Sequence, residues 1–143
     1  MGPVIANNLN MWSPYQDCVR LGSNIRFEVE QGRAGHLLLL EKATSGKVFC
    51  LCPSFLAPRP YLRDGKTVLP QEGSPFKSFK ITGNIRIEQI VAVMREKLPP
   101  LNWIPQPDKQ PLQLQKDHLR QLLQYLEGRS EYQVLYTEYT VTA

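Results

Sequence analysis

The chain has 143 residues, enough for one domain with a hydrophobic core of its own. Hydrophobic residues make up 42% and charged residues 21% of it, a balance that excludes wholesale disorder and collagen-like or low-complexity classes. The formal net charge is +4, and no apolar run approaches the ~20 residues of a membrane span. Because the N-terminus also lacks a secretory signal pattern, we expect a soluble, cytoplasmic protein that makes no membrane contact.

Three strands are predicted in the first half of the chain. Strict alternation of apolar and polar residues over Asn24–Gln31 is typical of a strand with one buried face. The nearly continuous apolar run His36–Lys42 predicts a central strand that is covered on both faces. A turn at Thr44–Gly46 then leads into a third strand, Lys47–Cys52, which should pair antiparallel with the second.

A displayed loop is predicted after the third strand. Pro53 ends that strand, and ten of the 12 prolines lie between Pro53 and Pro111. Proline cannot donate to a strand ladder and breaks helix interiors, so this region must hold loops and strand ends. The connection Ser54–Lys66 is therefore expected to be irregular and to lie on the surface, where binding residues tend to be found.

The second half of the chain is predicted to contain further strands and a helix. The segment Ile85–Lys97 fits both helical spacing and a β-branched run, and the latter favours a strand over Glu88–Met94. Leucines at i, i+3, i+4 and i+7 predict an amphipathic helix over Leu112–Glu127, with Gly128 as its stop. The other predicted strands are Lys66–Leu69, Phe76–Ile81 and Tyr132–Thr142.

These elements indicate a mainly β fold. We expect an antiparallel β-sandwich or partly open barrel, with one C-terminal amphipathic helix followed by a final strand. Residues 1–18 would form an N-terminal extension and residues 19–143 a single domain, with the helix and closing strand within 112–142. The tyrosine-rich last strand either finishes the sheet or pairs across a dimer axis, which leaves the oligomeric state open.

The cysteines do not form a recognisable disulfide or metal site. The chain has three cysteines, an odd number, and no CxxC pair: Cys18, Cys50 and Cys52. This pattern favours cysteines that are buried and serve only in packing. Cys50 and Cys52 lie two apart in a predicted strand and should point to the same face. Zinc sites normally show two short-spaced ligand pairs, so neither a metal nor another cofactor is expected.

No catalytic constellation stands out either. The glycines form neither a phosphate-cradling loop nor a nucleophile elbow, and we therefore expect no enzyme activity. A small hydrolase is the least favoured alternative, and it would draw its nucleophile and base from Cys50, Cys52, Ser54, Ser74, His36 and His118.

Basic residues are concentrated in the middle of the chain. Between Arg59 and Lys97 there are eight lysines or arginines against four acidic residues. This segment predicts, as an alternative function, a sensor domain that binds an anionic small ligand or nucleic acid. No nucleic-acid-binding motif accompanies the charge, so a solvated face is favoured and nucleic acid is not expected as a partner. The basic residues are Arg59, Arg63, Lys66, Lys77, Lys80, Arg86, Arg95 and Lys97.

The order of segments resembles a known family. Its features are VRLG leading into IRFEVE, the LLLL strand, VFCLCPSFLAP, RDGKTVLP and GNIRIEQIVAVM. Together they are similar to the bacterial, largely cyanobacterial domain-of-unknown-function family forty-three eighty-four over a core of residues 19–98. Cys52-Pro53-Ser54 departs from the Phe-Pro-Asn that this family tends to have. The resemblance implies a non-enzymatic accessory domain beside caspase-like peptidases, protein kinases or signalling modules.

The leading hypothesis is therefore a regulatory module that contacts a partner protein or a covalently linked effector domain through its displayed loop. Aromatic and aliphatic side chains beside arginine are the residue types that dominate protein interfaces. The alternative is that the apolar residues of the loop pack beneath it. The candidate partner-binding residues are Phe55, Leu56, Arg59, Tyr61, Leu62 and Arg63.

Overall fold

The structure is a computed structural model, and it describes residues 9–12, 18–59, 61–63 and 65–143. These ranges contain eleven strands and one helix, α1, Lys116–Leu126. The strands are β1 Leu9–Trp12, β2 Cys18–Arg20, β3 Asn24–Gln31, β4 Gly35–Lys42, β5 Val48–Cys52, β6 Tyr61–Leu62, β7 Gly65–Leu69, β8 Phe79–Lys80, β9 Arg86–Arg95, β10 Leu112–Leu114 and β11 Gln133–Thr142.

The strands form two sheets. The small sheet has the order β1-β3-β7, with β8 also pairing with β3. The large sheet has the order β10-β5-β4-β9-β11-β2, and β6 pairs with β4. Neighbouring strands are antiparallel except β2 and β11, which run parallel, so the large sheet is mixed.

The main core lies between the two sheets. The alternating residues Ile25, Phe27 and Val29 of β3 are 1% exposed or less, and they pack against the large sheet. Leu37 and Leu39 of β4 meet them from the other side and are fully buried. Burial of a Leu, Ile or Phe side chain stabilises a fold by about 1.5–3 kcal/mol, so this interface supplies most of the hydrophobic driving force.

A second, smaller core lies on the outer face of the large sheet, under the helix. Leu38 and Leu40 of β4 contribute to it, together with Leu122, the buried leucine of α1. The molecule thus has three layers: small sheet, large sheet and helix. No helix in the described part of the chain is long and apolar enough to cross a membrane.

The predicted fold class is confirmed: the chain is mainly β, with one described helix and a final C-terminal strand. The segment 85–97, which was ambiguous in sequence, is a strand over Arg86–Arg95. The predicted strand Phe76–Ile81 is shorter than expected, because only Phe79 and Lys80 pair with β3.

The predicted helix start was wrong. Leu112–Leu114 is an edge strand that pairs with β5, and the helix begins at Lys116. Leu112 and Leu114 alternate around Gln113, a period of two that suits a strand. The backbone N–H of Gln115 donates to Nδ1 of His118 at 2.9 Å, and this capping contact fixes the first turn of the helix.

The prediction that Cys50 and Cys52 share a face was also wrong. The register between β4 and β5 shifts between Leu39 and Leu40, the signature of a β-bulge. Cys52 pairs with Leu39 and lies in the core between the sheets, whereas Cys50 pairs with Leu40 and lies under the helix. The bulge therefore sends the two thiols to opposite faces.

The predicted N-terminal extension is described only in part. Within residues 1–18, Leu9–Trp12 is a strand of the small sheet and Cys18 begins β2. Residues 1–8 and 13–17 lie outside the described residues.

The start of β4 approaches β9 closely. A Cβ atom added to Gly35 would lie 2.5 Å from the carbonyl oxygen of Arg95, a backbone atom that cannot swing away. Gly32, three residues earlier, has no atom within 4 Å of the same position. The pairing of the two central strands thus requires glycine at 35 and not at 32.

We expect Gly35→Ala to lower the free energy of unfolding by about 1–3 kcal/mol, because the methyl group must push β4 away from β9. Gly32→Ala is the matched control and should change stability by no more than about 0.5 kcal/mol. Urea unfolding of both variants measures the difference. Equal stabilities would contradict the close approach.

Candidate functional site

The displayed loop is anchored at its start by a buried serine. Ser54 is fully buried, and its Oγ donates to the carbonyl of Leu51 and accepts the backbone N–H of Leu56 at 3.1 Å. The N–H of Phe55 donates to the carbonyl of Lys109 at 2.7 Å. The chain leaving β5 is therefore held by hydrogen bonds and does not swing freely.

Gln71 clamps the middle of the loop. Its Oε1 accepts the backbone N–H of Arg59 at 2.8 Å, and its Nε2 donates to the carbonyl of the same residue at 2.8 Å. Its own N–H donates to the carbonyl of Leu56 at 2.8 Å. Gln71 is 8% exposed, so these bonds are largely shielded from water. One side chain thus pairs with the loop as a neighbouring strand would.

An aromatic pair and an arginine lie on this clamped surface. The rings of Phe55 and Phe76 are 5.6 Å apart, and 52% of Phe76 is exposed. Arg59 is exposed, and its Nη2 donates to the carbonyl of Glu72 at 3.3 Å. We call Phe55, Arg59 and Phe76 the loop surface. Its side chains combine exposed apolar area with a positive charge, on a backbone that is held by hydrogen bonds.

The six predicted binding residues do not all reach the surface. Leu56 and Leu62 are each 5% exposed and belong to the core between the sheets. Phe55 is half-buried, and Arg59, Tyr61 and Arg63 are exposed. Pro60 and Asp64, two further residues of the predicted loop, lie outside the described residues.

Phe76 is the surface residue that the sequence prediction placed in a strand. It lies three positions before Phe79, and residues three apart cannot share a strand face. Phe79 packs against the core, with its ring 5.2 Å from that of Phe27. That odd spacing was the available signal that Phe76 points elsewhere.

Tyr61 faces a different feature, a cleft at one end of the large sheet. Its ring meets that of His36 edge-on at 5.1 Å, and the cleft beside it has a volume of about 920 Å³. Arg95 contacts Glu131 at 3.0 Å and lies over the ring of Tyr132 at 5.5 Å. The charged residues that line the cleft are Glu30, Glu96, Glu131, Arg33 and Arg95. Three carboxylates against two guanidinium groups do not favour an anionic ligand here.

The basic residues of the middle segment lie on several different elements of the fold. Arg86 donates to Glu88 and to the carbonyls of Thr82 and Asn84, so its guanidinium is already committed. Lys66 belongs to β7 and Lys80 to β8.

The cysteines and histidines are engaged separately. Burial raises the pKa of Cys50 to about 12 and raises that of Cys52 further, so both thiols stay protonated near neutral pH. Nδ1 of His36 lies 2.6 Å from the carbonyl oxygen of Glu96, whereas the ring of His118 packs at a tilt against that of Trp103, with 5.3 Å between the ring centres. Among the residues that the structure describes, no three His, Cys, Asp or Glu side chains form a metal-binding group.

We expect Gln71→Ala to release the loop while leaving the sheets folded. The variant leaves the N–H and carbonyl of Arg59 without their partners, a change that lowers stability by about 1–3 kcal/mol. Hydrogen exchange of the Arg59 amide should accelerate. Gln124→Ala, on the exposed face of the helix, is the control. Unchanged exchange at Arg59 would rule out the clamp.

Thiol labelling should distinguish the three cysteines. Because Cys50 and Cys52 are buried and protonated, only the partly exposed Cys18 should react with iodoacetamide at about pH 8 in the native protein. Mass spectrometry should find one modification before and three after denaturation. A second rapid modification in the native state would contradict the burial of these thiols.

Comparison with known proteins identifies one family. The model of a family described as Domain of unknown function (DUF4384) matches residues 18–97. The match covers more than half of the chain, from β2 to just past β9, and confirms the predicted resemblance over 19–98. No curated protein and no solved structure matches the chain.

Proposed function

The chain belongs to the DUF4384 family, and on that basis we propose that it is a non-enzymatic module that binds a partner protein or a neighbouring domain through the loop surface. The observation that carries the proposal is the loop surface: Phe55 and Arg59 lie on the clamped loop, and the half-exposed ring of Phe76 packs against that of Phe55.

The hydrogen bonds that hold the loop support its use as a binding surface. A flexible loop loses conformational freedom when it binds, whereas one fixed by Gln71 and Ser54 has already lost it. Phe76 can bury its exposed half in a partner, and Arg59 can form a charge-assisted hydrogen bond at the rim. The partner that suits this surface presents an apolar pocket next to a carboxylate.

The chemistry of the interior supports a non-enzymatic role. The two buried thiols are protonated near neutral pH and lie on opposite faces of the large sheet, which makes them poor nucleophiles. Each histidine is engaged by its own partners on a different element. The proposal therefore places function on the surface.

Site-specific photo-crosslinking in the cells that make the protein tests the proposal. A photo-crosslinking phenylalanine analogue at position 76 should give an adduct of one discrete mass, which decreases when Arg59→Ala is added. The same analogue at position 85 is the matched control, since Ile85 is apolar and 64% exposed but lies outside the loop surface. Identical adducts at both positions would refute the loop surface as a specific site.

With the captured protein in hand, we expect Phe76→Ala to weaken binding by about tenfold or more, the effect of removing a central aromatic anchor. Ile85→Ala should leave the affinity unchanged. Titration calorimetry measures both values, and urea unfolding shows whether each variant remains folded.

A further inference from the structure

Two glutamates and a tyrosine lie together on three adjacent strands of the large sheet. Glu41 is on β4, Glu88 on β9 and Tyr139 on β11. Glu88 pairs directly with Tyr139, and Glu41 pairs with Ile90, so the two carboxyls are diagonal neighbours across β4 and β9. All three side chains lie on the sheet face that is covered by the small sheet, the face of Ile90.

One guanidinium group, that of Arg86, lies beside these two carboxyls. Nε of Arg86 donates to Oε1 of Glu88, and its Nη1 donates to the carbonyls of Thr82 and Asn84 at 2.7 Å each. The hydroxyl of Tyr139 donates to Oε2 of Glu41 at 3.0 Å. Two carboxyl groups thus share a single positive charge.

One oxygen of this cluster has no donor. Oε2 of Glu88 is buried and accepts no hydrogen bond from any described residue, while Glu88 as a whole is 3% exposed. Buried polar atoms almost always have a partner, and an orphan acceptor normally costs about 1–3 kcal/mol. A hydrogen on the neighbouring carboxyl of Glu41 would supply the donor.

We propose that Glu41 and Glu88 form a proton-binding site, in which Glu41 carries one proton and its O–H donates to the orphan Oε2 of Glu88. Glu88 stays paired with Arg86, and the hydroxyl of Tyr139 donates to the other oxygen of Glu41. Release of the proton to solvent leaves two carboxylates beside one guanidinium. The site goes beyond the loop surface and does not depend on it.

The surroundings support retention of the proton at neutral pH. Burial, and next the charge of Glu88, raise the pKa of Glu41 to about 7, against the opposing effects of the Tyr139 hydroxyl and Arg86. On the side of the small sheet, the ring of Phe27 lies 6.2 Å from that of Tyr139. The site would therefore gain or lose its proton near neutral pH.

Binding of this proton also stabilises the folded state. The pKa of Glu41 is higher in the folded chain than its ordinary value of 4.5, so ionisation disfavours the folded state. The stabilisation contributed by the proton on Glu41 is fully present below about pH 4.5 and is lost as the pH rises through about 7.

Carbon-detected NMR titration of the glutamate carboxyls in the whole chain tests the site. One carboxyl should titrate with a midpoint of about 7 and disappear in Glu41→Gln. Glu138→Gln is the matched control. Glu138 lies on β11, the strand of Tyr139, but on its exposed face, where it accepts a hydrogen bond from the hydroxyl of Tyr136 at 2.9 Å. That variant should leave the midpoint in place. If every glutamate titrates below about pH 5.5, the proposal is wrong.

One further variant and one stability measurement separate a carboxyl pair from simple burial. Glu88→Gln removes the like charge, so the midpoint of Glu41 should move to lower pH, and an unmoved midpoint overturns the pair. Glu41→Gln replaces the proposed O–H with a permanent N–H donor. This variant should unfold at higher urea than the wild type at about pH 8 and lose the pH dependence above about pH 5. Lower stability than the wild type at about pH 8 would also overturn it.

Discussion

Strand β4 is the element on which the three layers depend. Its side chains alternate between two cores: Leu37 and Leu39 face the small sheet, and Leu38 and Leu40 lie under the helix. A slip of one residue in its pairing would exchange these two sets, so the register of β4 against β9 determines which residues meet in each core. The bare backbone at Gly35 permits the close contact at which that pairing begins.

The pattern of apolar residues was sufficient to predict the strands, but not the irregularities within them. The alternation of β3 and the continuous run of β4 are visible in sequence because each strand face repeats every second residue. The bulge in β5 breaks this repeat at a place where Leu51 and Cys52 are equally apolar, so nothing in the sequence marks it. The helix start was missed for a related reason, because Leu112 and Leu114 fit both a helical and an alternating pattern.

The candidate site was harder to predict because it depends on contacts between distant residues. Leu56 and Leu62 look like the other apolar residues of their loop, and their burial follows from how the loop folds back onto the core. Gln71 reaches Arg59 across 12 positions, and Tyr139 reaches Glu41 across 98. The family match stops before β11, yet β11 lies between β9 and β2, two strands that the match includes. The large sheet therefore needs the C-terminal strand to bring its matched parts together.

The clamp formed by Gln71 has a consequence for how this surface can diversify. Both hydrogen bonds of its side-chain amide go to main-chain atoms of residue 59, and the side chain of Arg59 takes no part in them. Any residue except proline, which lacks the backbone N–H, could therefore occupy position 59 and keep both hydrogen bonds to Gln71. Related chains that keep the glutamine could change the charge they present there and acquire different partners on an unchanged framework.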